Sequence, residues 1–323
     1  MSSPPSTPED RILRFETALT EAANTPTYWA DRESASNGAV ADVATVPPDG
    51  TPQPVLYRFR RSEMIRIFRA VTQGELRLGY QPCVDVATGR VSHLEALIRW
   101  PGKPETITIQ NLVNAMEGNG LILPVGAWVI RQACRDLAIL RADGYRHLSM
   151  SVNVSNSQID DVRLADQITE ALEINQIPGR RLMIELTETM LPDLLKAGKL
   201  VSAMRKIGVR TMIDDFGMGF ANFTLLRDVP AAAIKIDRSY TAQVLKSRRT
   251  ASMTESLISM ADKIGVDVIA EGVETSGQMR WMSAHGVRKL QGFFYSPAVD
   301  IEGIRCLLQV QPWTVAPAKW AAS

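Results

Sequence analysis

From about residue 75 to residue 308 the chain alternates short apolar runs with amphipathic stretches of helical period, and that alternation leaves few folds open. Two strand-like runs, Leu76 to Val86 and Val91 to Trp100, are joined only by Ala87-Thr88-Gly89-Arg90. So short a connection cannot make a parallel crossover and predicts an antiparallel hairpin. Further strands are predicted at 147–154, 182–187, 209–214, 232–236, 266–270 and 287–294, with helices around 61–71, 125–140, 164–172, 194–207, 253–264, 278–284 and 301–308 and a short one near Leu225. About eight strands interleaved with helices predict an α/β fold of the modified TIM-type (β/α)8 barrel class, its first strand made antiparallel by the hairpin. A doubly wound open sheet is the competitor. It calls for a Gly-rich phosphate loop after an early strand, and none is visible.

Everything else is placed around the stretch Val209 to Phe220, VRTMIDDFGMGF. A β-branched apolar run ends there in Asp214 and Asp215, followed by Gly217 and Gly219. Side chains alternate along a strand, so adjacent aspartates share a site only where the strand frays into a loop. Two anions held that close repel, and a cation between them is the simplest remedy. A plain Asp-Gly turn is the alternative. The other strands end in Glu95, Asn153, Glu185 and Glu188, Lys235, Glu271 and Glu274, and Gln291. A lone surface Glu is ordinarily a solvated charge, but seven successive strands delivering polar groups to one rim are not explained that way. Carboxylates and an amide oxygen are hard ligands, and His93, His147 and His285 fall outside the set. The chemistry points to Mg²⁺ or Mn²⁺, with acids enough for two ions and Asp214 as a bridge. Paired ions about 4 Å apart suit in-line attack on a phosphodiester. Lys235, among so many acids, stays an ammonium able to orient water or offset developing charge.

Composition sets the surroundings. Lys and Arg total 36 against 35 acidic residues, a balance that gives no global field for DNA or an anionic membrane. Cys83, Cys134 and Cys306 are widely spaced and odd in number, which fits a reduced cytoplasmic setting rather than a disulfide framework or zinc site. No apolar leader and no run of about 18 apolar residues occurs, so a soluble chain without a membrane span is expected. Residues 1–60 carry one short helical pattern at Ile12, Phe15, Ala18 and Leu19, then a small, polar linker ending in VPPDGTPQP. They hold too few large apolar groups for a core. They read as a short helical and disordered extension, either a tail resting on the main domain or a docking element for a protein partner. The barrel is expected over 61–310 and a C-terminal tail over 311–323.

The motifs QPCVDV, Glu95-Ala96-Leu97 with Arg99-Trp100, Glu117 to Ile122, SVNVS, ELTET, DDFG, KIDRS, AEGVET and QGFFYS occur in order from about Glu75 to Leu308. Together they resemble the EAL-domain family of cyclic-di-GMP phosphodiesterases. The resemblance implies that Glu95, Asn153, Glu185 and Asp214 hold a first metal ion and that Asp214 and Asp215 reach a second. Glu271 would ligate that second ion or accept a proton from the attacking water, and Lys235 would hold this water. Glu274 and Gln291 would support the site, and Glu188 would anchor the loop after Asp215. Gln81, Leu97, Arg99 and Gln291 would contact the dinucleotide. The implied reaction opens cyclic-di-GMP to linear pGpG, and the implied assembly is a homodimer through the loop after Asp215.

The loop after DDFG, TGYSS in many active relatives, here carries Met218, Phe220, Ala221 and Asn222. In the family it couples metal site and dimer interface, so these changes bear on turnover and dimer geometry. The stretch after Trp100 and the Pro297-Ala298 pair also depart from the usual wording. The alternative is therefore a catalytically weak or inactive cyclic-di-GMP receptor signalling through a protein partner, although such receptors usually lose a metal ligand and none is lost here. An enolase-like barrel would leave the Asp214-Asp215 pair and Asn153 without a role.

Overall fold

The structure is a computed structural model, and it describes residues 61–188, 194–218, 226–227, 229–311 and 313. The predicted N-terminal helix and linker, the segment Gly219 to Asn222 of the altered loop, and nearly all of the C-terminal tail lie outside the described residues. Of the short helix expected near Leu225, only Leu226 and Arg227 are described, and they are helical.

Eight strands close into a barrel in chain order: β1 (Arg77–Asp85), β2 (Arg90–Arg99), β3 (Ser149–Asn153), β4 (Leu182–Thr187), β5 (Arg210–Phe216), β6 (Ala233–Ile236), β7 (Asp267–Ala270) and β8 (Lys289–Gln291). β1 runs antiparallel to both its neighbours, β2 and β8, while the remaining pairs are parallel. The reversal originates in the hairpin predicted from its length. Asp85 Oδ1 accepts from the backbone N–H of Ala87 at 2.9 Å and of Thr88 at 3.1 Å, and Gly89 turns the chain at φ 65°. An Asx turn followed by a left-handed glycine is local chemistry that the sequence alone encodes.

Ten helices accompany the strands among the described residues: α1 (Arg61–Thr72), α2 (Ile109–Gly118), α3 (Ile122–Ala142), α4 (Asn156–Ile159), α5 (Leu164–Ile174), α6 (Leu194–Lys206), α7 (Arg238–Gln243), α8 (Arg248–Lys263), α9 (Ser276–Ala284) and α10 (Ile301–Val310). Two departures from the sequence reading matter. Helix α2 was not expected; Thr108 caps it, its hydroxyl accepting from Asn111 N–H at 3.0 Å. The last strand is three residues long rather than the predicted 287–294. The pairing with β7 ends at Ala270 and Leu290, and at Gly292 the chain passes so close to Val273 that an added Cβ would lie 2.2 Å from its carbonyl oxygen.

Inside the barrel, period-two alternation sorts side chains into layers. Cys83, Met183, Met212, Ala233 and Ile269 pack together as a buried apolar layer. Alternate residues such as Leu94, Val152, Ile184, Ile213 and Ile234 are equally buried on the other faces of the strands. Two residues beyond the inner apolar layer, toward the carboxyl ends of the parallel strands, the chemistry changes.

Candidate active site

At that level every strand or strand end contributes one polar side chain: Gln81, Glu95, Asn153, Glu185, Asp214, Lys235, Glu271 and Gln291. Gln81 joins the set because β1 is reversed, so that its residue 81 pairs with Glu95 while Cys83 pairs with His93 one layer down. Lys235 occupies the centre, 1% exposed. Its Nζ lies 2.6 Å from Glu185 Oε2, 2.6 Å from Glu271 Oε1, 3.1 Å from Glu95 Oε2 and 3.2 Å from Asp214 Oδ1. Burial alone would lower the Lys235 pKa, but the surrounding carboxylates overcome it and raise the pKa well above the ordinary value. The ammonium charge is therefore permanent.

The carboxylates are not equivalent. Glu95 accepts from Asn153 Nδ2 at 3.0 Å and from Gln291 Nε2 at 2.6 Å as well as from Lys235. Burial opposes its ionisation, yet Lys235 and the two amides bring its pKa below the usual carboxylate range. Glu185 has Lys235 on one oxygen only, and its Oε1 is buried with no hydrogen-bond partner. Burial, then repulsion from Glu95, pushes its pKa well up. Burial is also the main cause that raises Glu271 to about 8 and Asp215 to about 6, with repulsion from Asp214 adding in each case.

How two adjacent aspartates face one site is settled by a bulge. The strand does not fray after Asp214, as the sequence suggested; it continues to Phe216, with a register shift between Ile213 and Phe216 and Asp215 at φ 52°. The extra residue breaks the alternation and re-aims Asp215 toward the side Asp214 already faces. The Asp215 N–H donates to Asp214 Oδ1 at 2.9 Å.

Two clusters result, each with ligand atoms within 4.8 Å of one another: Glu95, Glu185 and Asp214, and Asp214, Asp215 and Glu271. Asp214 belongs to both. An orphaned carboxylate oxygen, carboxyl pKa values raised by burial and then by mutual repulsion, and an all-oxygen donor set fit hard divalent cations. The histidines stay out of it. His93 lies one layer below, bonded through Nε2 to Ser151 Oγ at 2.8 Å, and burial followed by the Lys235 charge brings its pKa down to about 3.

The remaining sequence candidates take different places. Glu188 Oε2 accepts the Gly217 N–H at 2.9 Å. Leu97 and Arg99 follow Glu95 at two-residue steps on β2, half-buried above the carboxylates. Arg99 lies across Gly79, where a Cβ would meet its Cγ at 3.2 Å. Gln81 Oε1 accepts from Gln291 Nε2 at 3.2 Å, and Gln81 Nε2 donates to Ser296 O at 3.3 Å. Glu274 stands apart: it is exposed, and its backbone N–H bonds Gln278 Oε1 at 2.8 Å. Gly79 and Tyr240, whose hydroxyl bonds Gly217, were not singled out from sequence. Only Gly79 carries a sequence signal, as a glycine inside a strand.

The EAL domain family matches this chain over residues 65–298. The chain belongs to the EAL domain family. The cyclic di-GMP phosphodiesterase NbdA of Pseudomonas aeruginosa is 32% identical over 251 residues, covering 77% of this chain and 32% of NbdA. This EAL chain thus spans about a third of the length of the curated relatives it matches. Among solved structures, the PaMucR phosphodiesterase in complex with c-di-GMP superposes with a TM-score of 0.71 at 28% identity, covering 75% of this chain and 99% of that one. The EAL enzyme Bd1971, in its cAMP- and cyclic-di-GMP-bound form, gives a TM-score of 0.74 at 27% identity, covering 77% of this chain and 69% of that one. Among the described residues no helix is long and apolar enough to cross a membrane.

Proposed function

We propose that this chain is a metal-dependent phosphodiesterase that hydrolyses cyclic-di-GMP to linear pGpG with two Mg²⁺ or Mn²⁺ ions. The sharing of Asp214 between two carboxylate clusters at the barrel mouth carries the reading. Glu95, Asn153, Glu185 and Asp214 would hold one ion, and Asp214 and Asp215 would reach the other, with Glu271 as a further ligand or as the base. When bound, the ions polarise the phosphodiester and lower the pKa of water.

The chain's own groups do the rest. Lys235 keeps its charge at any working pH and counters negative charge that grows on the phosphorus oxygens. Glu271, whose pKa burial raises to about 8 in the metal-free site, would either ligate the second ion or take the proton of the attacking water. Arg99 supplies the local positive charge that a chain of net charge +1 lacks overall, and with Leu97, Gln81 and Gln291 it orients the dinucleotide. Glu188 holds the turn after Asp215. The dimer through the loop after Asp215 and a cytoplasmic location belong to the same reading, since cyclic-di-GMP is an intracellular messenger.

The test is incubation of purified protein with cyclic-di-GMP and Mg²⁺ or Mn²⁺, with pGpG read by chromatography and a chelator control. Metal-dependent pGpG is expected. Tight cyclic-di-GMP binding without product would make the chain a receptor and overturn the catalytic assignment.

A further inference from the structure

The turn after Asp215 is held from both sides. The N–H of Gly217 is taken by Glu188, which follows β4, and the Gly217 carbonyl accepts from Tyr240 Oη at 2.9 Å. Gly217 has φ 98°, and a Cβ there would come within 2.9 Å of the Tyr240 ring, so the ring lies directly on the bare backbone. Met218 N–H closes the turn onto Asp215 O at 3.2 Å, and Ser239 Oγ reaches Met218 Sδ at 3.4 Å.

Tyr240 and Ser239 belong to α7, a short helix that starts immediately after the strand bearing Lys235. Its start is fixed by Asp237, whose Oδ1 accepts the Ser239 N–H at 2.8 Å. The same helix touches the other side of the site. Gly272, next to Glu271, has φ 63°, and a Cβ there would lie 2.4 Å from Arg238 Cβ and 3.1 Å from Arg238 Cα. Helix α7 therefore abuts the residue after Glu271 with its first residue and the turn after Asp215 with its third.

From this placement we infer that α7 is a buttress setting the separation of Asp215 and Glu271, with Tyr240 as the positioning residue for Asp215. The inference rests on the two-ion reading above. Asp215 sits in the left-handed region, which is costly for a residue with a Cβ although less so for Asp than for most. Its support is Gly217, two residues on, whose N–H and carbonyl are both held. Release of one end leaves Asp215 free to relax away from Asp214 and Glu271, which weakens the second cluster and leaves Glu95, Glu185 and Asp214 as they are.

Tyr240→Phe keeps the ring on Gly217 and removes one hydroxyl. Loss of one hydrogen bond predicts about a fivefold faster hydrogen exchange at the Gly217 and Met218 amides in metal-free protein, with the barrel strands unchanged. In a calorimetric Mn²⁺ titration the weaker of two binding steps should lose about fivefold in affinity while the tighter step stays at the wild-type value. A merely structural hydroxyl would lower the melting temperature without separating the two steps. Exchange at Gly217 and Met218 equal to wild type overturns the clamp, and faster exchange with both Mn²⁺ steps unaltered overturns the buttressing of Asp215. Failure of the wild-type protein to bind Mn²⁺ overturns the two-ion reading and the inference that depends on it, while the exchange measurement still reports the clamp by itself.

Discussion

Two layers of the barrel interior, one pleat apart on the same strands, obey opposite rules. The lower layer is built of Cys83, Met183, Met212, Ala233 and Ile269, with His93 bonded through Nε2 to Ser151 Oγ beside it. The upper layer gathers Glu95, Glu185, Asp214 and Glu271 around one lysine. Removing apolar surface from water stabilises the first. Burying several like charges with one counter-ion strains the second, as the raised Glu185 and Glu271 pKa values register. The lower layer holds the barrel together so that the upper one can be kept in an arrangement water would disperse. This is the division in which stability is spent where function needs strain.

Substitutions can break that comparison. The largest effect is expected from Asp214→Ala, which removes the residue common to both clusters. Hydrolysis should fall about a thousandfold or more, and Mn²⁺ binding should be lost, while the circular dichroism spectrum and melting temperature of the metal-free protein stay near wild type. Wild-type turnover in this variant would refute the shared-ligand assignment. Next comes Lys235→Ala, which leaves buried carboxylates without their cation. Denaturant unfolding of metal-free protein should show a loss of about 3–5 kcal/mol, and turnover should fall more than dinucleotide affinity. An effect confined to affinity would argue against the role given to Lys235 beside the reacting phosphate.

In the lower layer, Met212→Ala should cost about 2–5 kcal/mol through the cavity it opens. Mn²⁺ stoichiometry per folded chain should not change. Altered stoichiometry would mean that the two layers are not separable in the way described.

The smallest effect is on pH dependence. Glu271 and Asp215 have folded pKa values of about 8 and about 6, above the ordinary 4.5 and 3.8. The native state therefore binds more protons than the unfolded chain between those limits, and metal-free stability falls as pH rises through them. Thermal melts in chelator should give a lower melting temperature at pH 8 than at pH 6, and Mn²⁺ should narrow or reverse the gap because it binds the deprotonated carboxylates. A melting temperature that rises with pH in chelator would show that these groups are not strained.

Much of this was legible in the chain itself. The four-residue connection at Ala87 to Arg90 required an antiparallel start, and the apolar runs ending in Glu95, Asn153, Glu185, Asp214, Lys235, Glu271 and Gln291 named the rim before any coordinates. Local turn chemistry and period-two patterning are properties of neighbouring residues, so sequence carries them. Folding alone decided how those residues differ. Glu95 and Glu185 read identically as strand-end glutamates, yet amides from β3 and β8 satisfy one and leave an oxygen of the other bare. The bulge that turns Asp215 toward Asp214 depends on the register between β5 and β6, and Tyr240 meets Gly217 across 23 residues. Such contacts come from barrel closure, which brings together residues whose separation along the chain gives no sign that they will meet.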